Sequence, residues 1–324
     1  MIMKKIAFLA VFFALISQGH AGAFGRPYCG WDSCEVGADW LYWKAFQDDL
    51  EYGEHVTIVT GATTTRDTSE IMPEFNPNSG YRIFVENGFF EQWCLSGIYT
   101  HISSKAGNSL NLDPANIASD FINLNTSNFP ALAALTGAAF SSLDANWSSD
   151  FSYFDLDLSR PIYLSACFGI KPHLGFRALW RKQKLDLDGV APGAGILTSA
   201  FTEKYDGCGV EGGLSAHLQL GWGLSLSGHL GGSLLYARIK VKENFQVLSD
   251  GQITLLSVGN TIFHLTPMMD AFLGLQYEGH LCSYPINFHA GWEQHTIHNA
   301  THLNLLRYSD FTLQGLTLGG SIIF

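Results

Sequence analysis

The C-terminal stretch Leu316-Thr317-Leu318-Gly319-Gly320-Ser321-Ile322-Ile323-Phe324 decides the fold of this chain. Counting back from its end in steps of two gives a mostly apolar set, namely Phe324, Ile322, Gly320, Leu318 and Leu316. The positions between them are mostly small or polar. A period of two predicts a β-strand whose two faces meet different environments.

The terminal aromatic residue adds a second signal. A secreted chain that ends on such a strand resembles the signal that bacterial outer-membrane barrels present to their assembly machinery. A soluble sandwich seldom places its last apolar side chain on the last residue, because termini usually fray. We therefore predict that Phe324, Ile322, Leu318 and Leu316 form an assembly signal, with the barrel-assembly machinery and outer-membrane lipid as partners.

The N-terminus has the pattern of a secretory signal peptide. Lys4 and Lys5 precede an apolar run of 11 residues, 6–16, and Ala21-Gly22-Ala23 offers small residues for cleavage. The run is too short to span a bilayer, and no run of 18 apolar residues follows it. We predict a signal peptide over 1–23, a periplasmic segment over 24–34 and a membrane domain over 35–324. Because lipid satisfies no open sheet edge, that domain must be a closed barrel.

Composition agrees with an alternating membrane barrel. Aromatic residues reach 13%, charged residues are only 15%, and mean hydropathy is +0.10, as expected when apolar and polar residues alternate. The formal net charge of −11 argues against nucleic acid as a partner.

The alternation of apolar and polar residues predicts an all-β fold, a transmembrane antiparallel barrel of about 10 strands (range about 8–14). The expected strands lie at 35–46, 80–88, 92–104, 150–159, 171–184, 205–220, 223–242, 263–278, 286–297 and 311–324. The expected long external loops are 47–79, 105–149, 185–204, 243–262 and 298–310, and short periplasmic turns separate the remaining strands. Pro130 and the Ala/Leu-rich run after it predict a short helix in the second long loop.

Each strand has one apolar face, which we assign to lipid. Aromatic residues near strand ends predict an interfacial girdle, with candidates Trp40, Tyr42, Tyr81, Trp180, Trp222, Tyr236, Tyr277 and Trp292. The opposite face predicts the lumen residues Asp39, Arg82, Glu86, Asp155, Asp157, Arg177, Arg181, Glu211, His217, Asp270, Glu278 and Glu293. Acids and bases on opposite walls would tune ion selectivity, whereas direct pairs would plug a small barrel.

Several strand patterns resemble a known family. They are Ala38-Asp39-Trp40-Leu41-Tyr42-Trp43-Lys44, Gly80-Tyr81-Arg82-Ile83, Lys171-Pro172-His173-Leu174-Gly175-Phe176-Arg177, Gly231-Gly232-Ser233-Leu234-Leu235-Tyr236 and Leu313-Gln314-Gly315-Leu316-Thr317-Leu318. They are similar to the pore-forming outer-membrane proteins of Legionella and the MOMP-like proteins of Chlamydia-related bacteria. The resemblance implies a surface-exposed barrel, pore-forming or a major outer-membrane protein, with no cofactor and no catalytic residue.

The chain has six cysteines, and disulfide bonds can form between them because the predicted location of the secreted chain is oxidising. Cys29 and Cys34 are close in sequence, which makes a local periplasmic bridge plausible, although six cysteines allow about 15 full pairings. The family resemblance adds the alternative that some cysteines cross-link to another copy or to other envelope proteins.

Motifs for chemistry are sparse. His295, His298 and His302 have spacings that would suit a metal on a helix, but on a strand and loop they are read as ordinary polar histidines, and no metal is predicted. The primary hypothesis is therefore a porin-like channel with mild cation preference that also serves as a surface protein. A non-conducting barrel for adhesion or envelope structure is second, and a barrel hydrolase is third.

Overall fold

The structure is a computed structural model that describes residues 33–48, 50–60, 64–89, 92–124, 138–192, 195–249, 252–281, 283–302 and 309–324. The predicted signal peptide, most of the predicted periplasmic segment and the predicted helix after Pro130 lie outside these residues. Among the residues described, no helix is both long and apolar enough to cross a membrane.

Sixteen strands occur within the described residues. In chain order they are β1 (Cys34–Gln47), β2 (Gly53–Thr60), β3 (Thr64–Ile71), β4 (Glu74–Phe75), β5 (Pro77–Phe89), β6 (Trp93–Asn111), β7 (Asp120–Leu124), β8 (Ala139–Phe140), β9 (Ser142–Ser159), β10 (Ile162–Tyr163), β11 (Phe168–Ala191), β12 (Gly195–Gly221), β13 (Leu224–Ser249), β14 (Gln252–Leu281), β15 (Tyr284–Thr301) and β16 (Ser309–Ile323). One turn of 3-10 helix, Pro114–Asn116, is capped by the Asp113 side chain.

Ten of these strands close into an antiparallel barrel: β1, β5, β6, β9 and β11 to β16. The last strand seals the ring by pairing with the first, with Trp40 opposite Leu318 and Glu35 opposite Ile323. Backbone hydrogen bonds between Cys34 and Phe324, in both directions, extend this seam to the final residue. The predicted barrel of about ten strands is confirmed. We call the end at which β1 begins and β16 ends the periplasmic end, as the first strand begins and the last strand ends there in such barrels.

The four longest strands overturn part of the loop prediction. The sequence predicts long loops over 185–204 and 243–262, but 185–191, 195–204, 243–249 and 252–262 continue β11 to β14 beyond the membrane. The two faces of these strands exchange polarity where the strands leave the lipid. Within the lipid the outer face is apolar, as at Trp180. Beyond the lipid Lys182 and Lys184 point outward, and Leu185 is buried inside the barrel. An alternation that changes phase in this way looks like the end of a strand in the sequence, although the backbone pairing continues.

The first two external segments carry structure of their own. Strands β2, β3, β7 and β8 form a second antiparallel sheet. Leu50, Tyr52 and Ile122, which come from these segments, are completely buried and join the same apolar cluster as Leu41 and Trp43 of the barrel. The second sheet is therefore packed onto the external end of the barrel.

The outer face of the barrel is an apolar band with aromatic edges. All eight predicted girdle residues are exposed, from 42% at Tyr42 to 101% at Trp222. Trp40, Tyr81, Trp180 and Trp292 lie towards the external edge, and Trp222 and Tyr277 lie near the periplasmic turns. Leucines between the two belts, such as Leu230, are exposed on this outer face, which would be unfavourable in water. This arrangement is typical of a membrane barrel.

Candidate functional site

All twelve predicted lumen residues lie on the inner face of the barrel. Eight are buried: Asp39, Asp155, Asp157, Arg177, Arg181, Glu211, Asp270 and Glu293. Four are partly buried: Arg82, Glu86, His217 and Glu278. The strand parity read from the sequence therefore holds throughout the wall. A role for these residues in ion selectivity stays a prediction.

Arg82 on β5 organises one side of the lumen. Its guanidinium donates to both oxygens of Glu293, at 2.6 and 3.1 Å, and to Asp39 Oδ2 at 3.2 Å. The same group donates to the Tyr153 hydroxyl and to Thr100 Oγ1, both at 3.1 Å. Bidentate geometry of this kind fixes the planar guanidinium in one orientation.

Arg177 on β11 organises the other side. It donates to the two oxygens of Asp155 at 2.7 and 2.9 Å. It also forms ion pairs with Glu211, at 2.7 Å, and with Asp270. Its guanidinium carbon lies 4.9 Å from the centre of the Tyr153 ring, so one tyrosine contacts both arginines.

His295 joins the two halves. Its Nδ1 is 2.5 Å from Asp270, the partner of Arg177, and its Nε2 is 2.9 Å from Glu293, the partner of Arg82. Both ring nitrogens donate only when the imidazole is protonated, so the contacts favour the imidazolium form. Thr317 completes the link by donating to Glu293 at 2.8 Å.

This continuous network decides between the two alternatives for the lumen charges. Acids and bases pair directly across the barrel rather than lining opposite walls. The inward position of the acids and arginines could be predicted from the sequence, because strand parity places them inside. Nothing in the sequence indicated that His295, Tyr153 and Thr317 would connect them, since the contact of Tyr153 with Arg82, for example, joins residues 71 positions apart.

A cavity of about 290 Å³ lies within this network. Its walls include Arg82, Arg177, Asp157, Glu211 and four histidines, His173, His229, His289 and His295. The rings of His173 and His229 stack with centroids 5.1 Å apart. Nearer the periplasmic end, Lys171 pairs with Glu86 and His217 approaches Glu278 at 3.7 Å, all with partly exposed side chains.

The external half of the lumen is apolar. Trp43, Phe151, Leu179, Phe201 and Phe311 are each at most 1% exposed and belong to one continuous cluster. This cluster also includes the buried residues of the external segments, such as Tyr52. Among the residues the structure describes, the lumen is therefore closed above the polar network.

One charged group is buried in this apolar region. Arg181, predicted as a selectivity residue, donates instead to Glu203 and to the Ala300 carbonyl at 2.8 Å. Glu203 also accepts from Gln183 at 3.1 Å and from the His302 backbone. These groups lie beyond the lipid, since neighbouring outward residues such as Lys204 are charged. Burial raises the pKa of the Glu203 carboxyl, and the Arg181 guanidinium opposes that shift.

The cysteines correct one prediction. Cys34 is a buried free thiol, so the expected bridge between Cys29 and Cys34 is wrong; Cys29 itself lies outside the described residues. Cys94, by contrast, is fully buried and disulfide-bonded. Cys34 is only 7% exposed at the start of β1, where the residue lies opposite Asn87.

One set of side chains has the donor atoms of a metal site. Oxygen atoms of Asp155, Asp157 and Glu211, all buried, lie within 4.8 Å of one another. Carboxylate oxygens suit hard cations such as Ca²⁺ and Mg²⁺. Within the described residues, no equivalent cluster of cysteine or histidine ligands occurs.

Comparison with known structures returns membrane proteins at low similarity. The outer membrane protease OmpT from Escherichia coli is 8% identical, with 90% of this chain and 96% of that chain covered and a TM-score of 0.43. The attachment invasion locus protein Ail of Yersinia pestis is 11% identical, with coverages of 90% and 98% and a TM-score of 0.25. CymD, a monoaromatic hydrocarbon channel, is 10% identical, with coverages of 90% and 88% and a TM-score of 0.33. Scores this low carry no argument about activity.

Sequence comparison is more specific. No curated protein matches the chain. The family described as Legionella pneumophila major outer membrane protein precursor matches residues 27–324, which include every strand of the barrel. The chain therefore belongs to the family of the Legionella pneumophila major outer membrane protein, and its location is the bacterial outer membrane.

Proposed function

We propose that this outer-membrane barrel is a surface and envelope protein whose lumen is closed, rather than an open diffusion pore. One observation carries the proposal: the continuous apolar cluster that fills the external half of the lumen. Water and ions do not cross a packed region of side chains such as Trp43, Phe151 and Phe311 without displacing it. No catalytic role is proposed for the lumen residues.

The second candidate is the cation-preferring channel expected from the sequence. The observation that favours it is the excess of acids over arginines around the cavity, where Asp39, Asp155, Asp157, Glu211, Asp270 and Glu293 surround Arg82 and Arg177. A negative confined space raises the local concentration of cations. Conduction through it would require the apolar cluster to move.

Planar-bilayer recording of the refolded, heat-modifiable protein separates the two functions. The closed barrel predicts no stepwise currents from the wild-type chain. A matched variant, Phe151→Ala combined with Phe311→Ala, removes two of the rings that fill the external half of the lumen; it should conduct. Steady stepwise currents from the wild type would reject the closed barrel. In that case, Asp155→Asn combined with Asp157→Asn should lower the cation preference measured by reversal potential.

A further inference from the structure

Two acidic residues on different strands meet across a glycine. Gly175 on β11 is opposite Asp157 of β9 on one side and Glu211 of β12 on the other. A Cβ atom at Gly175 would lie 2.0 Å from Asp157 Oδ1, so this oxygen occupies the space that a side chain would take. The missing side chain lets both carboxylates lie over the same point of the wall, beside Asp155.

The charges at this point do not balance. Arg177 is the cation that contacts Asp155 and Glu211, and it is shared with Asp270. Asp157 is only 6% exposed, and within the described part of the chain its Oδ1 has no hydrogen-bond partner. A buried carboxylate oxygen without a partner costs free energy, because nothing replaces the water it has lost.

We propose that Asp155, Asp157 and Glu211 bind one divalent cation, of the Ca²⁺ or Mg²⁺ type, inside the barrel wall. The three carboxylates and one guanidinium carry two uncompensated negative charges, which a divalent ion neutralises. All the ligand atoms are oxygens, as hard cations require. The adjoining cavity leaves room for the ion and its remaining water ligands, and the partly exposed polar pairs Lys171–Glu86 and His217–Glu278 lie between it and the periplasmic end.

The site is independent of whether the barrel conducts. It lies at the β9, β11 and β12 wall, whereas closure of the lumen depends on the apolar cluster further out. A proton shared between Asp157 and Glu211 is the competing arrangement, but it neutralises only one of the two charges. Calcium dependence distinguishes the two, because a shared proton makes stability depend on pH and not on the divalent ion.

The test uses the full mature chain, refolded in a non-ionic detergent without lipopolysaccharide and treated with a chelator. Titration calorimetry with CaCl₂, and separately with MgCl₂, should detect one site per chain, and the bound ion should raise the temperature at which heat-modifiable migration is lost. Asp157→Asn should weaken binding by about tenfold or more, because it removes one anionic ligand. Glu278→Gln, which removes a lumen acid away from the cluster, should bind as the wild type does.

Two results would overturn the site. One is the absence of both stoichiometric binding and calcium-dependent stabilisation in the folded wild-type protein. The other is equal binding by wild type and Asp157→Asn. If Asp157→Asn does not fold, Glu211→Gln takes its place with the same expected loss, and the wild-type titration decides by itself whether an ion binds.

Discussion

Asp39 and His289 approach each other to 3.1 Å although their strands are not neighbours. Gly319 of β16 lies between them, opposite Asp39 on one side and His289 on the other. The absence of a side chain at Gly319 lets residues from both flanking strands meet over it. Gly175 plays the same part between Asp157 and Glu211. Glycine in the barrel wall thus allows polar contacts to form across three strands.

Gly319→Ala should destabilise the barrel by roughly 1–3 kcal/mol, because overpacking forces buried groups to shift. The new Cβ would lie 2.0 Å from Asp39 Oδ1 and 2.6 Å from the His289 ring. Gly228→Ala is the matched control, since its nearest neighbouring atoms are 3.7 Å away. The midpoint of urea unfolding in lipid measures both variants. Equal midpoints would show that the contact across Gly319 is unimportant.

Arg177→Gln should cost roughly 3–5 kcal/mol, because removing one partner of a buried ion pair leaves the others uncompensated. Asp155 and Glu211 lose their cation in this variant, and Asp270 keeps only His295 among the residues described. Arg238→Gln is the control, as its pair with Asp206 lies on the outer surface with about half of each side chain exposed, where such pairs contribute about 0–1 kcal/mol. Similar losses for the two variants would contradict the network.

Leu218→Arg should impair folding into lipid by roughly 1–2 kcal/mol, because Leu218 lies on the lipid face four residues before Trp222, between the midplane and the periplasmic interface. Leu218 faces outward and is 38% exposed, whereas the adjacent His217 faces the lumen. His217→Arg should therefore be tolerated and gain a closer pair with Glu278. Folding yield in lipid vesicles is the measurement. If both substitutions behave alike, the assignment of the two faces is wrong.

Deleting Phe324, or Phe324→Asp, should lower insertion into the outer membrane. The Phe324 backbone pairs with Cys34 at the closing seam, and its ring packs against Tyr284 with centroids 5.5 Å apart. Phe324→Trp keeps a terminal aromatic and is the control. Heat-modifiable migration of membrane fractions gives the barrel yield. An unchanged yield for the deletion would reject the terminal assembly signal.

Glu243 should make the external part of the barrel less stable as pH rises. It lies beyond the lipid, beside the outward Lys242, and burial raises the pKa of its carboxyl to about 7 from an ordinary value of 4.5. The protonated form is therefore favoured in the folded state, and its stability is present below about pH 4.5 and lost as pH rises through about 7. Glu243→Gln should melt at a higher temperature than wild type at about pH 8.5, with a smaller difference at about pH 5. A pH-independent difference would contradict the assignment.

Strand alternation allowed most of the barrel to be predicted. Ten strands and the orientation of the lumen residues follow from a period of two, because each side chain is placed on a face by its position alone. The external halves of β11 to β14 were missed for the same reason. There the apolar face turns from lipid to core, so the local pattern changes although the pairing does not.

The amino-acid sequence by itself determined the barrel, the two faces of its wall and the last strand that ends at Phe324, since these depend on alternation along single strands. Only the tertiary structure decided that Arg82, Arg177 and His295 join the lumen acids into one network, and that Trp43 and Tyr52 share a core that closes the lumen. These contacts depend on strand register and on glycines such as Gly319, which bring together residues distant in sequence. Local patterns carry no information about which distant residues meet, so the polar network could not be predicted without the closed barrel.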